Sequence, residues 1–146
     1  MLFRSVRFSQ ALLGAGGMER AARARDLLRE TLTTASTDER VLYLLSQAER
    51  LSGDAAAAET VARRLVEVNR RSVRGWEALV EALETRQRHQ AVVDALAPQI
   101  DAFRTGANAS TALGVLLPHL GFAYQEVGQV DKAVATFEEE IGRAHV

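Results

Sequence analysis

LPHLGFAYQEVGQVDKAVATF, residues 117–137, is the stretch on which the fold turns. Leu117, Leu120, Gly121 and Tyr124 recur at spacings of three and four, and Ala133 and Phe137 resume that spacing after Gly128. Apolar residues in this rhythm share one face of a helix, so the stretch reads as two amphipathic helices joined by a tight turn. Gly128 stands where the end of the first helix calls for a left-handed residue.

The same pattern returns upstream. At a spacing of 34 residues Phe8 aligns with Leu42 and Trp76, Ala11 with Leu45 and Leu79, and Ala24 with Ala58 and Val92. Leu28, Ala62 and Leu96 form a further column, as do Leu32, Val66 and Ile100. Seven additional residues after the third unit bring Leu117, Leu120, Ala133, Phe137 and Ile141 into the same columns. A helix pair repeated at a fixed period is the mark of a stacked array, because one pair alone cannot bury its apolar face.

The turns have their own chemistry. Ser52-Gly53-Asp54 supplies a left-handed position and then an N-cap. Ser36 with Glu39 fits a capping box opening the second unit, and Ser72 is positioned to cap the third. The third turn falls on Gln87, so the helix before it is expected to run on by a residue or two. Gly14-Ala15-Gly16-Gly17 lacks the Lys-Ser/Thr of a phosphate loop and reads as a turn between helices.

Composition agrees. A chain of 146 residues, 47% hydrophobic and 25% charged, has apolar material for one globular core. Two prolines, ten glycines and 5% aromatics favour helix over a β-sandwich. The absence of cysteine excludes disulfides, thiolate zinc sites and a cysteine nucleophile. Eighteen basic against nineteen acidic residues give no bulk attraction to nucleic acid or an anionic membrane. Lys132 is the only lysine, the usage of a GC-rich bacterial genome.

These residues resemble the tetratricopeptide repeats. The match is closest at Leu117, Leu120-Gly121, Tyr124, Gly128, Ala133 and Phe137, and Trp76, Leu79 and Leu83 repeat it on the first helix of the third unit. The chain departs from the family at Glu49, where a large aromatic is usual, and at Ser36, Arg70 and Arg104, which stand in the slots of the closing proline. The resemblance implies an all-α fold of antiparallel helix-turn-helix repeats stacked as an α-solenoid, a right-handed superhelix. A single array over 6–140 is expected, with units of about 5–38, 39–72, 73–106 and 114–140 and an insertion at about 107–113 that reads as a longer loop. Leu2-Phe3-Arg4-Ser5 and Ile141-Gly142-Arg143-Ala144-His145-Val146 read as translated flanks of a sequencing adapter, so 1–5 and 141–146 are expected to be non-native. An array cut from a longer chain in this way is expected to expose apolar faces at both ends.

Few residues suggest catalysis. His89, His119 and His145 have no second ligand three or four residues away, so no metal site is expected. Glu138-Glu139-Glu140 reads as a solvated helix end. Arg63, Arg64, Arg70, Arg71 and Arg74 read as an arginine ridge pairing with Glu59 and Glu67, because only Trp76 is at hand for base stacking. No set of nucleophile, base and oxyanion donor assembles, and neither an enzyme nor a cofactor is expected. The opening seventeen residues faintly imitate a leader, but Ala11 to Ala15 is too short an apolar region. No stretch reaches the roughly 20 apolar residues that span a bilayer, Ala112 to Tyr124 being interrupted by Pro118 and His119, and a cytoplasmic location is expected.

The resemblance implies a ligand groove lined by the first helix of each unit. In the second unit it offers Arg40, Tyr43, Gln47 and Arg50, in the third Arg74, Glu77, Glu81 and Glu84, and in the fourth Phe122 and Gln125. The Lys and Asn pair with which family members clamp a terminal carboxylate is missing. The expected function is a protein-interaction scaffold that holds a peptide or partner helix by a few aromatic and charged contacts, without nucleic acid or membrane. The alternative is a regulatory or targeting arm of a larger enzyme or transcription factor.

Overall fold

The computed structural model describes residues 2–32 and 37–144, and the backbone alone at Ala144. The chain falls into two compact units, Met1–Arg86 and Gln87–Val146. Among the described residues all regular structure is helical.

The first unit holds α1 (Leu2–Ala15), α2 (Met18–Leu32), α3 (Glu39–Leu51), α4 (Ala55–Val68) and α5 (Val73–Thr85). Each helix packs on the next, and α1, α3 and α5 also touch in succession. Short turns make consecutive helices antiparallel neighbours. The caps explain where helices start. Asp54 Oδ1 accepts from the amide of Ala57, and Ser72 Oγ from that of Gly75. Asp38 opens α3 by accepting from the amides of Arg40 and Val41. Ser36, the sequence candidate for that cap, lies outside the described residues.

The 34-residue period is strongest between α3 and α5. Val41, Leu42, Leu44, Leu45, Ser46, Ala48 and Glu49 are buried, and so are Gly75, Trp76, Ala78, Leu79, Val80, Ala82 and Leu83 at the same seven positions. Trp76 is 5% exposed, and its Nε1–H donates to the carbonyl of Arg70 at 2.8 Å. Gly75 lets α5 close on α4, since a Cβ there would sit 3.1 Å from Leu65 and Val66. The helix before Gln87 does not run on: α5 ends at Thr85, in register with Leu51, because Gln87 takes the left-handed φ of 55°.

The first helix corrects the sequence reading. Phe8 and Ala11 are exposed, and Val6, Ser9 and Leu12 are the buried residues of α1. Val6 stands 36 residues before Leu42, so α1 is slipped by two positions while Ala24 and Leu28 of α2 keep the 34-residue column. The two extra residues lie at the start of α2, which begins at Met18, three positions before the counterpart of Ala55, while the turn itself is one residue shorter, with Gly16 and Gly17 both at positive φ.

Two buried carboxylates join neighbouring pairs in this unit. Glu49, 2% exposed, accepts from Arg29 of α2 at 2.6 Å. Glu59 of α4 takes Arg63 at 2.9 Å and Arg86, just past α5, at 2.5 Å. Part of the expected arginine ridge is therefore bound to Glu59.

The second unit holds α6 (His89–Leu96), a 3₁₀ turn (Ala97–Gln99), α7 (Ile100–Phe103), α8 (Ala109–Glu126) and α9 (Val130–Ala144). Pro98 has no N–H to return to the preceding turn, so the helix tightens over Ala97–Gln99 before resuming. The insertion forms little loop: residues 109–113 are helical and lengthen α8 at its start. Gly121 admits Phe137 of α9 against α8, a Cβ there lying 2.6 Å from the ring. Glu139, expected in solvent, accepts from both Arg104 and Arg143. Arg104 holds its carboxyl below the ordinary range by hydrogen bonding, against the opposing effect of partial burial, and Arg143 adds to the shift.

Candidate functional site

Of the residues named for a groove, Tyr43, Gln47, Arg50, Arg74 and Glu81 come together on α3 and α5. Their positions four apart put Tyr43 and Gln47 on one helix face, and the period sets Gln47 beside its counterpart Glu81. Gln47 Nε2 donates to Glu81 Oε2 at 3.0 Å, and Arg50 donates to Gln47 Oε1 at 2.7 Å. Arg50 also lies 3.3 Å from Glu81, closing a three-membered polar ring. The buried Nε of Arg50 has no hydrogen-bond partner among the described residues.

Next to this ring, the Arg74 guanidinium lies 5.4 Å from the centroid of the half-buried Tyr43 ring. Burial raises the Tyr43 hydroxyl above its usual value of 10.0, Glu77 and Glu81 raise it further, and Arg74 and Arg50 oppose them. The phenol is therefore a neutral donor at physiological pH. Arg40 is exposed on the first turn of α3, beside an open depression of about 550 Å³ also lined by Leu2, Phe3, Val6 and Thr37. Glu84 is half-buried, one turn beyond Glu81.

Phe122 and Gln125 belong to α8 of the second unit and are exposed. Phe122 meets the ring of His89 edge to face, with centroids 5.5 Å apart at 83°. The sequence reading missed His89 as the neighbour of Phe122, because the lengthened α8 has no counterpart in the earlier units. Arg29 and Arg86 were also missed, since their acceptors Glu49 and Glu59 lie in buried columns where the pattern calls for apolar residues.

This surface offers hydrogen-bond donors, acceptors and one stacked aromatic. Among the described residues no three His, Asp or Glu side chains gather as a metal-ligand set. No helix among them is long and apolar enough to cross a membrane.

No family model matches the sequence, and no curated protein does. Among solved structures the chain is similar to the crystal structure of MamA protein, with a TM-score of 0.78 and 17% identity over 99% of this chain and 73% of that one. MamA is a TPR-like helical repeat protein, and at this identity the likeness speaks to fold. The chain has the all-α, TPR-like helical repeat fold.

Proposed function

We propose that this protein is a non-catalytic interaction scaffold that binds a peptide or partner helix across Arg40, Tyr43, Gln47, Arg50, Arg74, Glu77 and Glu81 on α3 and α5. Phe122 and Gln125, on α8 of the second unit, are a separate candidate contact. The observation that carries the reading is the preformed ring of Gln47, Arg50 and Glu81 beside the Tyr43–Arg74 stack. Side chains already held by one another lose little freedom when a ligand arrives. A TPR-like helical repeat fold suits such a role, and an affinity on the order of micromolar is expected.

Peptides selected from a random display library on the immobilised chain provide the test. Tyr43→Ala is expected to weaken their binding by roughly tenfold or more, the loss of an aromatic contact. Arg50→Glu, which sets three carboxyl or amide groups against one another, is expected to do the same with helicity unchanged. Equal binding by wild type and both variants would remove this face from the function.

A further inference from the structure

α3 and α5 repeat at 34 residues, so each groove position on one helix stands beside its counterpart on the other, as Gln47 and Glu81 do at 3.0 Å. Counted along the two helices, the rungs are Arg40 with Arg74, Tyr43 with Glu77, Gln47 with Glu81, and Arg50 with Glu84. The last three set unlike groups side by side. Glu81 takes Gln47 and Arg50, and the charge of Glu77 is felt at the Tyr43 hydroxyl. The first rung differs, because it places two guanidinium groups on adjacent positions, where like charges repel.

No acid of the fold resolves that repulsion. Among the described residues no carboxylate lies within ion-pair distance of Arg40 or Arg74, whereas Arg29, Arg50, Arg63 and Arg86 each have one. The acids nearest to Arg40 in sequence are otherwise engaged. Asp38 accepts from the amides of Arg40 and Val41 as the cap of α3, and Glu39 accepts from the Asn69 side chain of the α4–α5 turn at 2.8 Å. Arg40 and Arg74 are both exposed, and Arg74 is steadied over the Tyr43 ring at 5.4 Å before any ligand arrives. Arg70 adds a third exposed cation four residues before Arg74, in a turn whose backbone is pinned by the Trp76 indole at 2.8 Å.

Guanidinium groups match a carboxylate with two parallel hydrogen bonds, so the rung suits an acidic side chain. Nucleic acid offers anions too, but one at every nucleotide. A strand extended along these helices would pass from the arginines onto Glu77, Glu81 and Glu84, which repel phosphate. A peptide can put its acid at the first rung and leave the others free of negative charge.

We propose that the peptide held on α3 and α5 carries an Asp or Glu side chain that docks between Arg40 and Arg74, and that this rung selects acidic sequences. The proposal rests on the peptide-binding reading above. It adds the chemical class of the ligand and the end of the groove at which its charge lies.

Peptides recovered from the display library, synthesised as C-terminal amides so that side chains supply their carboxylates, test it by calorimetric titration. They are expected to be rich in Asp and Glu, and to bind at least about fivefold more weakly when those residues become Asn and Gln. Arg40→Gln and Arg74→Gln are each expected to weaken the acidic peptide by a similar factor and to reduce its sensitivity to salt. Arg20→Gln, which removes an exposed guanidinium from α2, is expected to bind like wild type. Arg74→Glu is expected to regain affinity for a peptide whose acid is replaced by Lys, which mere loss of the Tyr43 stack would not produce. Library sequences without acidic enrichment, or equal binding by wild type and both glutamine variants, would overturn the proposal. If Tyr43→Ala still weakens those peptides, the binding face stands without a charge preference. If Tyr43→Ala and Arg50→Glu both bind like wild type, the face and the proposal fall together. Loss of binding on amidation would overturn it in favour of a terminal carboxylate. A single-stranded oligonucleotide that binds more tightly than the acidic peptide, and loses affinity in Arg40→Gln, would overturn it in favour of a nucleic-acid site.

Discussion

Gln87 shows how a single backbone angle places a residue under strain. Its counterparts in the other turns are Gly53 and Gly128, at φ of 101° and 81°, and Gln87 holds 55° with a side chain attached. A left-handed residue other than glycine costs about 1–2 kcal/mol, partly offset by the greater freedom glycine has when unfolded. Gln87→Gly is expected to raise stability by about 0.5–1 kcal/mol, read as a higher urea midpoint at constant slope. Glu49 carries a different tension. One of its oxygens is bound by Arg29, and Oε2 is buried with no partner among the described residues. Arg29→Ala leaves that carboxylate unpaired and is expected to cost about 3 kcal/mol. Glu49→Leu, which installs the side chain found at its counterpart Leu83, is expected to cost less than Arg29→Ala or to stabilise. Denaturant melts that reversed this order would show that the ion pair holds α2 and α3 together by more than charge neutralisation.

At the scale of the helix, close approach depends on small residues. Gly121→Ala drives a methyl group against the Phe137 ring and is expected to destabilise by about 1–3 kcal/mol. Gly114→Ala, on the same helix with open space around it, is expected to stabilise by up to about 1 kcal/mol. Thermal melts of the two variants should move in opposite directions. The helices most legible in the sequence were α3 and α5, where burial repeats position by position. A fixed period read α1 wrongly because Val6 and Ala24 stand 18 residues apart where Leu42 and Ala58 stand 16, which shifts the comparison without erasing the apolar spacing, so Phe8 and Ala11 still look like core. Gln47 and Glu81 stand side by side because residues 34 apart on stacked first helices are neighbours; the sequence named both for the groove but not the hydrogen bonds that join them to each other and to Arg50. The Phe122–His89 contact depends on how α8 was lengthened, and no spacing in the chain encodes that.

Across the molecule, charge sets the response to acid. The Glu139 carboxyl, bound by Arg104 and Arg143, titrates below its ordinary value of 4.5 in the folded chain. Its contribution to stability is therefore fully present above pH 4.5 and is lost as pH falls through the lower folded value. The stability gap between wild type and Glu139→Gln is expected to close over that acidic window, as measured by urea midpoints at a series of pH values. Partial exposure of the group keeps the gap small. The molecule also contains only one indole, and Trp76 stands inside α5, nearly sealed from water and fixed by its hydrogen bond to Arg70. Its emission reports on the first unit alone, whereas ellipticity sums over the helices of both. The interval between a fluorescence transition and an ellipticity transition is thus a direct reading of how far the two units melt as one. The chain carries an intrinsic optical probe for one half of itself, with no label to perturb the other.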